Sequence, residues 1–149
     1  MRAIPAASAM ILLGAFPLPI RPSAPPPNRQ FPTLEAAAES ARRAWNVRDL
    51  GAFLQGAGSR LLIELPSANP STPVGRSQAR ALLQGYVQGT EEVETAVRKA
   101  KPVDETRGYV ELIRRYRLAG IGEVSEGVLL LGYRLGREGW LLTEVRVGN

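Results

Sequence analysis

At Gly89 the spacing of apolar residues changes from helical to alternating, and this switch constrains the fold more than any other feature of the chain. Ahead of it, Thr33 can cap a helix in which Leu34, Ala37, Ala38, Ala41 and Trp45 recur on one face, with Glu39 and Arg43 four apart on the polar side. Asp49 can cap a second, short helix carrying Leu50, Phe53 and Leu54, ended by Gly56 and Gly58. Arg60 to Leu65 reads as a strand stopped by Pro66, and Pro66 to Arg76 as a loop. Ser77 opens a third helix with Ala79, Leu82, Leu83, Tyr86 and Val87 as its buried stripe and Gly89 as its stop.

Beyond Gly89, Val93, Thr95 and Val97 alternate with Glu94, Ala96 and Arg98. Residues 108–118 form a long strand with Val110, Leu112, Tyr116 and Leu118 on one face and Tyr109, Glu111, Ile113, Arg115 and Arg117 on the other. Val124 to Leu135 and Trp140 to Val147 are two more strands, joined by the hairpin turn Gly136-Arg137-Glu138-Gly139. Three helices and an early strand, then an antiparallel meander, predict an α+β domain whose helices cover one face of a sheet. Leu129-Leu130-Leu131 and Trp140-Leu141-Leu142 are apolar on both sides. That pattern predicts burial of both sheet faces, one by the core and one by a partner.

The chain has 149 residues, which suits one domain. Its formal charge of +5 is unevenly spread: residues 1–32 hold Arg2, Arg21 and Arg29 and no acid, so the remainder is only +2. Eight of the twelve prolines also lie in those first 32 residues. Arg2 followed by a small and apolar run to Phe16 has the layout of a secretory signal peptide. The run is too short for a ~20-residue membrane helix, and Pro17, Pro19 and Pro22 would interrupt a longer one. The expected organisation is a leader over 1–24, a proline-rich linker over 25–32 and a domain over 33–149. The expected location is the periplasm or the medium, with no membrane span in the mature protein; a cytoplasmic protein with a leader-like segment is the alternative.

There is no Cys and no His. Disulfides, thiolate nucleophiles, Cys/His zinc sites and imidazole catalysis are therefore excluded. No P-loop, nucleophile elbow, zincin or EF-hand pattern occurs, and neither metal nor cofactor is expected. The aspartates read as structural, Asp49 as a cap and Asp104 in the turn from Pro102 to Thr106. The remaining carboxylate for general-base chemistry is Glu111, with Tyr109 as hydroxyl donor, if their face lines a cavity. The simpler reading makes Glu111 an ion-paired residue of a solvated face beside Arg115 and Arg117. Arg114, Arg115 and Arg117, within a basic run that starts at Arg98, are candidates for an anion site. Only Tyr109 and Tyr116 interleave with these bases, on opposite faces, which argues against nucleic acid. Trp45, Phe53, Tyr86 and Trp140 are candidates for lining an apolar pocket, and Tyr133 joins them near the core.

In this order the elements resemble the NTF2-like superfamily, the fold of nuclear transport factor 2 and ketosteroid isomerase. The resemblance covers residues 33–147 and rests on four pieces: Trp45-Asn46-Val47-Arg48-Asp49-Leu50 between two helices, Leu61 to Pro66, Gly75-Arg76-Ser77 before a helix, and Tyr133 to Leu142 with Gly139 directly ahead of Trp140. It implies an α+β, cystatin-like cone: N-terminal helices packed on a strongly curved antiparallel sheet. It also implies an apolar cavity and a homodimer formed through the sheet. Enzymes of the superfamily use an Asp or His base with a Tyr or protonated-acid donor. Without His, and with neither Asp on a strand face, this chain departs from that pattern. The expected function is an exported, non-catalytic domain that binds a small apolar ligand or a protein partner. The alternatives are a small lyase, isomerase or hydrolase using a Glu base and a Tyr donor, and a basic nucleic-acid-binding protein. Which face of the sheet is concave stays open at this level, and with it the environment of Glu111.

Overall fold

The computed structural model describes residues 30–148, together with Gly14, Pro17 and Pro19. The expected leader over 1–24 lies almost wholly outside the described residues, so its export role rests on sequence alone. Helix α1 (Leu34–Asn46) starts where Thr33 Oγ1 accepts a hydrogen bond from the Ala36 amide at 3.1 Å, and it buries Leu34, Ala37, Ala38, Ala41, Ala44 and Trp45. It ends in a tight turn: the Arg48 amide donates to Trp45 and the Asp49 amide to Ala44, with Arg48 left-handed at φ +60°. Asp49 Oδ1 then caps α2 (Leu50–Gln55) through the Ala52 amide at 3.0 Å.

Strand β1 (Ala57–Glu64) begins three residues earlier than the composition suggests and takes in Gly58, which was expected to lie beyond a helix end. Tertiary pairing decides this, because Ala57 is already in register with Leu142 of the last strand. The expected loop contains a two-residue strand, β2 (Val74–Gly75), held by Val74 packing into the core and pairing with Leu61. Helix α3 (Arg76–Gln88) follows directly, one residue ahead of Ser77, and buries Ala79, Leu83 and Val87; Leu82 and Tyr86 stay half-buried.

The remaining strands are β3 (Thr90–Pro102), β4 (Arg107–Leu118), β5 (Val124–Gly136) and β6 (Gly139–Gly148). They form a six-stranded sheet in the order β2-β1-β6-β5-β4-β3, antiparallel throughout except for the β1/β6 pair. Helix α1 lies mainly across β3, and α3 lies against β1 and α2. The helices cover the face carrying Val110, Leu112, Leu129, Leu131, Val145 and Val147, all buried. This settles the parity: the Val110/Leu112 face is the inner, concave one, and the Tyr109/Glu111 face is convex.

Strand β3 breaks the expected alternation. In β3, Glu92 is opposite Tyr116 and Glu94 opposite Arg115, so Val93 is an extra residue, a β-bulge. The bulge turns Glu92 to the inner face beside Thr95, while Val93, expected to share that face, stands exposed. A second irregularity at Arg98 keeps Ala100 opposite Val110, where it packs against the core.

Candidate functional site

The inner face of β4 reads Val110, Leu112, Arg114, Tyr116, an apolar row interrupted by one guanidinium. Arg114 has 0% of its surface exposed. A buried cation needs a counter-charge and an acceptor for each of its nitrogens, and both are supplied. Its Nε donates to Glu92 Oε1 at 3.1 Å and its Nη2 to Glu92 Oε2 at 2.8 Å, a two-pronged pair with a carboxylate whose side chain is only 3% exposed. Its Nη1 donates to the Tyr86 hydroxyl. Thr95 Oγ1 donates to Glu92 Oε1 at 2.9 Å and so completes the carboxylate's shell. The guanidinium is also caged by π faces: Tyr116 at 4.2 Å, Tyr86 at 5.2 Å and Trp45 at 5.4 Å. Burial pushes the Tyr86 hydroxyl above the usual tyrosine pKa, and neighbouring Arg114 offsets part of that rise.

Each element contributes one piece for a local reason. Helix α1 carries Trp45 in its last turn, tilted against Phe53 of α2 with ring centres 5.4 Å apart. Helix α3 delivers Tyr86 from its last turn, and the β3 bulge delivers Glu92. Strand β5 leaves room: Gly127 is opposite Arg114, and a Cβ there would lie 3.1 Å from the Tyr116 ring and 3.0 Å from the Gly148 carbonyl.

Trp45 and Tyr86 therefore come together as walls around a cation, and Phe53 stands behind them against Trp45. Trp140 is not with them; it stands at the start of β6 near Gly108 and Phe31. Arg114 is separated from Arg115 and Arg117 by the thickness of the sheet. Those two point outward, paired with Glu94 at 3.8 Å and Glu91 at 4.0 Å. Glu111 and Tyr109 also lie on the convex face. Glu111 sits 3.5 Å from Arg98 with 22% of its side chain exposed, and the Lys99 ammonium stands 6.0 Å above the Tyr109 ring. Neither touches the interior, which is the position the base-and-donor reading requires.

Glu92 and Gly127 are the members that sequence reasoning missed. A signal was present: Arg114 shares the parity of Val110, Leu112 and Tyr116, and a charge on an apolar row demands a counter-charge from a neighbouring strand. The bulge that supplies it has no local sequence mark. Chemically, the cluster is closed. Both oxygens of Glu92 are engaged, and among the described residues no buried side-chain nitrogen or oxygen lacks a partner. Among those residues, no group of three or more acidic, His or Cys side chains is placed to hold a metal, and no helix is long and apolar enough to cross a membrane.

The convex face has a different character. Ile113, Val128 and Leu130 run across its centre, each half-buried, with Ala96 and Tyr109 beside them. Arg98–Glu111, Arg115–Glu94, Arg117–Glu91 and Arg146–Glu64 surround this spine, the last at 3.3 Å. Two shallow depressions of about 350 and 320 Å3 share Tyr109, Gly132 and Glu144. A wider groove of about 480 Å3 runs beside α1 and α2, walled by Phe31, Ala36, Ala44, Val47 and Ala52.

Helices packed on the concave side of a curved six-stranded sheet define an NTF2-like, cystatin-like cone, and solved structures share it. A ketosteroid isomerase-like protein from Erwinia carotovora atroseptica SCRI1043 is similar with a TM-score of 0.61 at 14% identity, over 76% of this chain and 91% of that one. A DUF4783 family protein from Bacteroides uniformis ATCC 8492 is similar with a TM-score of 0.63 at 10% identity, over 74% and 94%. A domain of unknown function with a cystatin-like fold from Nostoc punctiforme PCC 73102 is similar with a TM-score of 0.58 at 21% identity, over 76% and 72%. No family model and no curated protein matches the sequence. The likeness is one of fold, and the fold houses unrelated functions.

Proposed function

We propose that this chain is an exported, non-catalytic NTF2-like domain that acts by binding protein through the convex face of its sheet, beginning with a second copy of itself. The observation that carries this reading is the closed Arg114–Glu92–Tyr86 network, which occupies the interior where a ligand would otherwise lie. An apolar ligand entering there would have to strand a buried charge, a cost of several kcal/mol per ion. The convex face is the better surface. Its spine of Ile113, Val128 and Leu130 is apolar, and four of its arginines are already paired across strands with Glu111, Glu94, Glu91 and Glu64, which lowers the cost of covering it. A two-fold contact between two such faces would bring like residues together about the axis, as homodimers commonly do.

The purified chain is expected to behave as a dimer in light scattering at tens of micromolar, and Leu130→Glu is expected to shift it to monomer while its circular dichroism stays native. A wild-type chain that remains monomeric at that concentration rejects the self-association reading. Export is tested separately: fractionation of the producing cell is expected to recover a shortened chain outside the cytoplasm.

A further inference from the structure

Strand β6 begins before its neighbour does. Pairing between β1 and β6 starts at Ala57 and Leu142, so Trp140 presents a free backbone edge. Residues expected to be the end of a linker occupy that edge. The Trp140 amide donates to the Phe31 carbonyl at 2.7 Å, the Phe31 amide donates back to the Trp140 carbonyl at 3.3 Å, and Gln30 Oε1 accepts from the Glu138 amide at 3.2 Å. The surroundings are shaped for these two residues. A Cβ at Gly139, whose φ is +135°, would fall 2.2 Å from the Phe31 carbonyl oxygen, and one at Gly56 would fall 2.7 Å from the Phe31 ring. The ring itself packs against the core cluster.

We infer that Gln30 and Phe31 form a strap that belongs to the folded domain, and that proteolytic removal of the leader takes place ahead of Gln30. The second half rests on the export reading; the first half stands on the geometry alone. A cut beyond Phe31 would free two backbone groups of Trp140, uncover the Gly56 surface and leave the start of β6 unpaired.

Two measurements on the full chain decide the matter. In a double-mutant cycle, Gly56→Ala is expected to lower Tm by about 3 °C or more in the wild-type background and by less than about 1 °C in a Phe31→Ala background, because among the described residues the new methyl meets that ring first, at 2.7 Å. Phe31→Ala by itself is expected to raise the accessibility of Trp140 to iodide quenching, with Trp45 as the buried internal reference. Equal costs for Gly56→Ala in both backgrounds, or unchanged quenching, overturn the strap. For processing, intact mass of the exported chain is expected to place its N-terminus at or before Gln30; a mature chain starting at Phe31 or later overturns the inference. A chain retained in the cytoplasm with Met1 attached overturns the export reading instead, and the double-mutant cycle still decides the strap.

Discussion

Arg114 shows how much one residue can be asked to do at the centre of a small domain. Its charge is carried inside by Glu92, its donors are used by Glu92 and Tyr86, and its flat faces are covered by Tyr116 and Trp45. Removing one member of such a pair strands the other, which costs about 3–5 kcal/mol, whereas replacing both by apolar residues of similar size costs far less. Arg114→Ala and Glu92→Ala are therefore each expected to lower the unfolding free energy by about that amount. The double replacement Arg114→Met with Glu92→Leu is expected to be less damaging than either. Urea titrations of the three variants check this; strictly additive losses would mean that the pair is not acting as a unit.

Among the elements, the most instructive junctions are two irregular ones. The α1–α2 turn places Arg48 at φ +60°, in the position after a helix where glycine is the usual occupant. Holding a residue with a Cβ there costs about 1 kcal/mol, so Arg48→Gly is expected to raise stability by about 0.5–1 kcal/mol, read as a higher urea midpoint at unchanged slope. A lower midpoint would show that the Arg48 side chain contributes more than its backbone strain. The bulge at Val93 works in the opposite direction, since the irregularity is what lets β3 present Glu92 and Thr95 to the same side. Strict alternation would have put these residues on opposite faces and left Arg114 without its carboxylate. The Pro102–Arg107 turn is ordinary by comparison: Asp104 accepts from the Thr106 and Arg107 amides and from the Arg107 guanidinium, which hold its carboxyl down at about 2.

For the whole molecule, the lack of His and Cys has a thermodynamic consequence. No side chain has an ordinary pKa between about 5 and 8, so stability is expected to be flat across that range. At the alkaline end, burial raises Tyr86 and Tyr133 above their unfolded values. The unfolded chain then loses those protons first, so the stability they confer is complete below about pH 10 and drains away as pH climbs past it. At the acid end, Asp104 is depressed in the folded state, so its contribution is present above the usual carboxylate range and is lost as pH falls toward about 2. Thermal melts from pH 2 to 12 check this profile. A pronounced slope between pH 6 and 8 would contradict it.

What the chain spells out directly is its local grammar. The Thr33 and Asp49 caps, the α1 stripe, the stop at Gly89 and the hairpin at Gly136–Gly139 are contacts between near neighbours, and each was legible before any fold was known. With the order of elements, they sufficed for an α+β cone. The face of the sheet that turns inward was not legible, because Leu130, Ile113 and Val128 are as apolar as many core residues and alternation has no sign. Tertiary packing chose it when α1 came to rest against β3. That choice sent Glu111, Arg115 and Arg117 outward and drew Arg114 in, although the run at 114–117 looks continuous along the chain. The strap and the bulge belong to the same class: Phe31 finds Trp140, and Glu92 finds Arg114, only once distant segments have met. Interactions between residues far apart in sequence are set by the enclosed shape of the core, and that shape exists only in three dimensions.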